Sequence, residues 1–108
     1  MKERRNNMRI MLACASGMST SLLVEKMKEA AINAGNDDKI WAVAQEEVEE
    51  ELGNFDVLLL GPQIGLALQR MKDLVENVPV AVISPLDYGR RNGEAVLKMA
   101  HNLVEKGE

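Results

Sequence analysis

The sequence predicts a single α/β domain, a parallel sheet with helices on both faces. Four short apolar runs, at residues 9–14, 40–44, 57–60 and 80–83, read as strands, and the segments between them repeat apolar residues at helical spacing. Strands that are apolar throughout must be covered on both faces, and a parallel partner is reached by a crossover that travels back along a helix. A length of 108 residues, 46% of them hydrophobic, is enough for one core and gives no reason to expect a second module.

The first strand ends at Cys14, and the chain breaks through Ala-Ser-Gly before a helical pattern resumes near Ser19. Leu22, Leu23, Met27, Ala30 and Ala31 share one face of that helix, Glu25, Lys26, Lys28 and Glu29 the other, and Gly35 supplies a stop. After the second strand, residues 45–52 are acidic, with Val48 and Leu52 four apart, which predicts a short surface helix ended by Gly53 and Asn54. Gly61-Pro62-Gln63 closes the third strand. Ile64, Leu66, Ala67, Leu68, Met71, Leu74 and Val75 then predict one helix up to Asn77. Pro79 introduces the fourth strand, residues 84–89 form a polar connector, and a last helix starts near Asn92, with Val96, Leu97, Ala100, Leu103 and Val104 on one face.

Charge and composition exclude several functions. A net charge of −4 and three aromatic residues, Trp41, Phe55 and Tyr88, offer neither a basic footprint nor stacking platforms for nucleic acid. The apolar runs fall far short of the roughly 20 residues that span a bilayer, so a soluble protein is expected. The polar start of the chain lacks a signal-peptide core. One cysteine cannot form an internal disulfide, which fits a reducing cytoplasm. The glutamates at 46, 47, 49, 50 and 51 read as a solvated face rather than a metal site. His101, with no cysteine or second histidine to join it, reads as a surface residue. No metal or cofactor is called for.

In such a fold the loops leaving the carboxyl ends of the strands surround the ligand crevice. The first of them, Cys14-Ala15-Ser16-Gly17-Met18-Ser19-Thr20-Ser21, opens directly into a helix. Small residues let the backbone curl, Gly17 permits a positive φ, and successive N–H groups at a helix N-terminus favour an anion. The hydroxyls of Ser16, Ser19, Thr20 and Ser21 supplement them. Cys14 sits at the mouth, where the same field favours a thiolate able to attack phosphorus. Neither a nucleotide P-loop nor a dinucleotide fingerprint is present. Cysteine phosphatases place an arginine after five intervening residues; here that position is Thr20, followed by Ser21. Without a guanidinium clamp, the loop is expected to hold a phosphoryl group without hydrolysing it.

Three motifs resemble the IIB proteins of the lactose/cellobiose (including chitobiose) class of the phosphoenolpyruvate-dependent phosphotransferase system. They are Cys14 with Gly17-Met18-Ser19-Thr20-Ser21-Leu22-Leu23-Val24, Leu59-Leu60-Gly61-Pro62-Gln63-Ile64, and Val82-Ile83 followed by Tyr88-Gly89. The resemblance covers residues 9 to 105 and implies strand order 2-1-3-4 in a fold similar to that of the cysteine phosphatases. It implies a route: phosphoryl passes from a histidine of a IIA protein to Cys14, then to a sugar held by a membrane IIC component. Ala15 to Thr20 would form the phosphate cradle, with Gly61, Pro62, Gln63 and Tyr88 near the docking edge. Residues 1–8 would be a flexible extension outside the domain of residues 9–108, and a shuttle that must release each partner is expected to be mostly monomeric.

Blander readings stand beside these. A lone cysteine at a strand end is often a small buried hydrophobe, Gly61-Pro62-Gln63 an ordinary turn, and Tyr88 a cap on the core. Two other functional classes stand as alternatives: a low-molecular-weight phosphatase-like enzyme, disfavoured by Thr20 at the arginine position and by the lack of a second cysteine, and a regulatory domain that only binds phosphate or a partner.

Overall fold

The computed structural model describes residues 7–15 and 20–106. Four parallel strands, β1 (Arg9–Cys14), β2 (Lys39–Ala44), β3 (Val57–Leu60) and β4 (Val80–Val82), form one sheet in the order β2-β1-β3-β4. The helices are α1 (Ser21–Asn33), α2 (Leu68–Val75), α3 (Pro85–Gly89) and α4 (Gly93–Lys106). β1 is central, with Leu12 opposite Ala42 of β2 and Leu59 of β3.

Side chains alternate across a strand, so each apolar run serves two cores. Ile10, Leu12, Ile40, Val57 and Leu59 pack with Leu23, Val24 and Met27 of α1 and Val96, Leu97 and Ala100 of α4. Met11, Ala13, Leu58 and Leu60 pack on the other face with Phe55, Ile64, Ala67, Met71 and Val75. This two-sided burial is why the strands read as continuous apolar runs in the sequence.

α1 stops where the glycine predicts. Gly35 has φ 75°, the Gly35 N–H donates to Ile32 O and the Asn36 N–H to Ala31 O, which together close a Schellman motif. The start of α4 lies hard against α1: a Cβ at Gly93 would fall 2.3 Å from the Lys26 carbonyl carbon. The amino end of β1 is fastened by the Arg9 guanidinium, whose Nη2 reaches Asp56 Oδ1 at 3.0 Å. That hydrogen bond, and then the carboxylate charge, push the already basic group further up.

Four local expectations are corrected. Residues 62–67 form a 3₁₀ segment kinked at Ile64 (φ −116°, ψ 30°), and α2 begins only at Leu68. With three residues per turn, Ile64 and Ala67 face inward and Leu66 points into solvent, fully exposed. Residues 45–51 are likewise 3₁₀, burying Val48 while Leu52 stays outside. Leu22, expected on the buried face of α1, is 51% exposed in the first turn. The polar connector after β4 is instead α3, with Pro85 in its first turn and the Ser84 hydroxyl accepting from the Asp87 N–H at 3.1 Å.

Residues 1–6 of the expected extension lie outside the described residues. Met8 is fully buried, and its N–H donates to Asp38 Oδ1 at 2.8 Å. No described helix is long and apolar enough to cross a membrane.

Candidate functional site

Cys14 is the last residue of the central strand, at the carboxyl edge of the sheet. Besides its sheet partner Ala44 of β2, its described neighbours come from three further segments. The Gly61 N–H donates to Ala13 O at 2.9 Å, which seats the end of β3 beside the cysteine. A Cβ at Gly61 would lie 3.5 Å from Cys14 Cβ, 3.5 Å from Tyr88 Cε1 and 2.9 Å from Gln63 Oε1. Of the three, only the Gln63 side chain approaches too closely to leave room for a Cβ. Thr20, fully buried, brings Oγ1 to 3.7 Å from Cys14 Sγ.

The structure therefore joins Cys14, Thr20, Gly61, Gln63 and Tyr88, each singled out in the sequence. Pro62 is half-buried beside them, while Ala15 and Ser21 are exposed. Ser16, Gly17, Met18 and Ser19, the middle of the expected phosphate loop, lie outside the described residues. Cys14 itself has no exposed surface, whereas the sequence places it at the mouth of the cradle.

Electrostatics at this edge favour an anion. α1 is 13 residues long, it carries no acidic residue in its first turn, and the Thr20 side chain makes no capping bond to it. Its first N–H groups thus point toward the Cys14 end with no carboxylate in the first turn to offset them. The other segments starting at this edge differ: α3 holds Asp87 and α4 Glu94 in the first turn, and the segment after β2 holds Glu46 and Glu47.

A second polar centre lies at the opposite edge. His101, expected at the surface, is 6% exposed, with Nε2 2.9 Å from Asp38 Oδ2. Asn36 Nδ2 donates to the same carboxylate oxygen at 3.2 Å. Asp38 thereby ties α4, the approach to β2 and the start of β1 together. It stands 63 residues from His101, so no local pattern announced the pair. A groove of about 490 Å³ between α1 and α4 borders His101, Lys26, Arg91 and Lys98 and does not include Cys14. Among the described residues, no three of His, Cys, Asp and Glu gather as a metal site.

Comparison with known proteins agrees with the geometry. The family model described as the PTS system, Lactose/Cellobiose specific IIB subunit matches residues 9–99. An oligo-beta-mannoside-specific EIIB component of the PTS system from Bacillus subtilis (strain 168) is 40% identical over 98 residues, spanning 89% of this chain and 95% of the relative. A cellobiose-specific EIIB component from Lactococcus lactis subsp. lactis (strain IL1403) is 43% identical, spanning 88% and 94%. The solution structure of the cellobiose-specific phosphotransferase IIB component from Borrelia burgdorferi superposes with a TM-score of 0.80 at 35% identity, covering 94% of this chain and 95% of that one. The lactose-specific IIB domain from Streptococcus pneumoniae shares the fold, with a TM-score of 0.78 at 16% identity over 86% and 93%. A central strand ending in a lone cysteine before a helix with no acidic residue in its first turn, on a 2-1-3-4 sheet matched almost end to end, places this chain in the lactose/cellobiose IIB family of the sugar phosphotransferase system.

Proposed function

We propose that the protein carries a phosphoryl group on Cys14, receiving it from a phosphohistidine of a IIA protein and passing it to a sugar bound by a membrane IIC component. The observation that carries this reading is the placement of Cys14 at the end of β1, before a helix N-terminus with no acidic residue in its first turn. Attack by Cys14 Sγ on the phosphohistidine breaks the N–P bond, and the electron pair stays on the imidazole nitrogen. Main-chain N–H groups of Ala15, Ser16, Gly17, Met18, Ser19, Thr20 and Ser21, with the serine hydroxyls, hold the phosphoryl oxygens, so positioning and fixed dipoles do the work.

Gly61, Pro62, Gln63 and Tyr88 face the partner at the same edge. The sugar is a β-linked disaccharide of the cellobiose, chitobiose or lactose kind, a reading supported by relatives named for oligo-β-mannoside and cellobiose. The protein works in the cytoplasm as a monomer, through residues 9–108, with residues 1–8 as an extension whose last residue, Met8, packs into the core. Handing the group on requires short-lived complexes.

Intact-mass measurement after incubation with phosphoenolpyruvate, the general phosphotransferase proteins and a cognate IIA tests the reading. One added phosphoryl group, absent in Cys14→Ser, is expected. Rapid Cys14-dependent hydrolysis of an aryl phosphate would point instead to a phosphatase-like enzyme, and no adduct at all to a phosphate-binding regulatory domain.

A further inference from the structure

We propose that Thr20 acts on the sulfur rather than on the phosphoryl oxygens: its hydroxyl stabilises negative charge on Cys14 Sγ in both transfer steps. The inference rests on reading Cys14 as the carrier, and it assigns Thr20 a role different from that of a cradle residue.

Thr20 occupies the N-cap position of α1, where a threonine hydroxyl ordinarily accepts from the helix N–H groups. It makes no such bond. Its Oγ1 lies instead 3.7 Å from Cys14 Sγ, within hydrogen-bonding reach of sulfur, and the residue has no exposed surface. A hydroxyl can accept or donate, so one contact serves successive states of the sulfur. It accepts from the neutral S–H, and it donates to the thiolate. Donation to a charged acceptor is about twice as strong as to a neutral one, so the contact favours the states in which Sγ is negative.

Both steps pass through such a state. During loading, the thiolate attacks phosphorus. During unloading, an O–P bond forms to the sugar hydroxyl as the Sγ–P bond breaks. The bonding pair returns to Sγ, and the hydroxyl proton passes to a carboxylate or imidazole base of the acceptor protein. A donor held at Sγ lowers the energy of the nucleophile and of the leaving group alike. In the phosphatase pattern the residue at this spacing is an arginine that clamps phosphoryl oxygens; the Thr20 side chain reaches the sulfur and leaves those oxygens to other groups.

Cys14 is the only cysteine, so its ionisation can be followed by thiolate ultraviolet absorbance in the free protein. Thr20→Val keeps the shape and removes the donor; Thr20→Ser keeps the donor. The valine variant is expected to raise the Cys14 pKa by about one unit and to slow single-turnover transfer from phosphocysteine to the acceptor about tenfold. The serine variant is expected to restore the pKa to within about half a unit and the rate to within about threefold of wild type. If circular dichroism shows that the valine variant does not fold, Thr20→Ala against Thr20→Ser decides the same point. Equal pKa values in all variants, or equal shifts in the serine and valine variants, would overturn the proposal. The titration needs no phosphoryl donor, so a wild-type protein that takes up no phosphoryl group counts against the carrier reading, and the titration still decides the Thr20 contact.

Discussion

Replacing Gly93 with alanine tests whether α4 docks on α1 as closely as described. The added Cβ would fall 2.3 Å from the Lys26 carbonyl carbon, 2.5 Å from its oxygen and 2.6 Å from the Met27 nitrogen. All three are backbone atoms of α1, so no rotamer change relieves the contact. The helices must part by about 1 Å to regain ordinary van der Waals separation. Parting loosens Val96, Leu97 and Ala100 against Leu23, Val24 and Met27. Overpacking of this kind costs about 1–3 kcal/mol. Alanine's helix propensity offsets at most about 1 kcal/mol, and less at the first position of a helix. The expected loss is therefore ~2 kcal/mol in urea unfolding, or a fall of about 10 °C in Tm for a domain of this size. Gly89→Ala is the control: a Cβ there meets nothing within 4 Å, and a change of no more than about 0.5 kcal/mol is expected. A Gly93→Ala protein that unfolds at the wild-type urea midpoint with an unchanged slope would refute the close helix contact.

Other perturbations have equally definite outcomes. Gly61→Ala makes ordinary 3.5 Å contacts with Cys14 and Tyr88 and needs only the Gln63 side chain to move, so stability should change by less than about 1 kcal/mol. Gly61→Val crowds Cys14 directly and should lose about 1–3 kcal/mol, together with most phosphoryl uptake by intact mass. Asp38→Ala strips partners from His101, Asn36 and the Met8 N–H; a loss of about 3 kcal/mol, seen in urea unfolding with uptake at Cys14 unchanged, is expected. Glu76 has φ 52° and ψ −104° at the end of α2, so Glu76→Gly should stabilise the fold by about 1 kcal/mol in the same assay. Leu66→Ser should leave stability within about 0.5 kcal/mol of wild type, because that side chain is fully exposed; a larger loss would restore the buried helical face that the sequence suggests.

What the sequence discloses follows the range of the interaction. Strands 57–60 and 9–14 were legible because every residue but Arg9 is buried and the run is unbroken. Cys14, Gly61 and Tyr88 could be grouped in advance because a parallel sheet brings all its strand ends to one edge. The exposure of Leu66 was not legible: an α-helical and a 3₁₀ path share a similar apolar pattern over one turn, and Pro62 with the kink at Ile64 decides between them. Burial of His101 escaped because its partner Asp38 is remote in sequence. Thr20 was correctly placed near the cysteine, but the direction of its hydroxyl depends on the turn into α1, which composition does not specify.

The enclosure of Cys14 also bears on oxidative damage. Peroxide converts accessible thiolates to sulfenic acid, and a neighbouring thiol ordinarily traps that species as a disulfide before it is lost. This chain has no second cysteine to do so. With no surface on the sulfur, susceptibility to oxidant is governed by how often the protein opens around it rather than by how acidic the thiol is, so concealment takes the place of an internal repair partner.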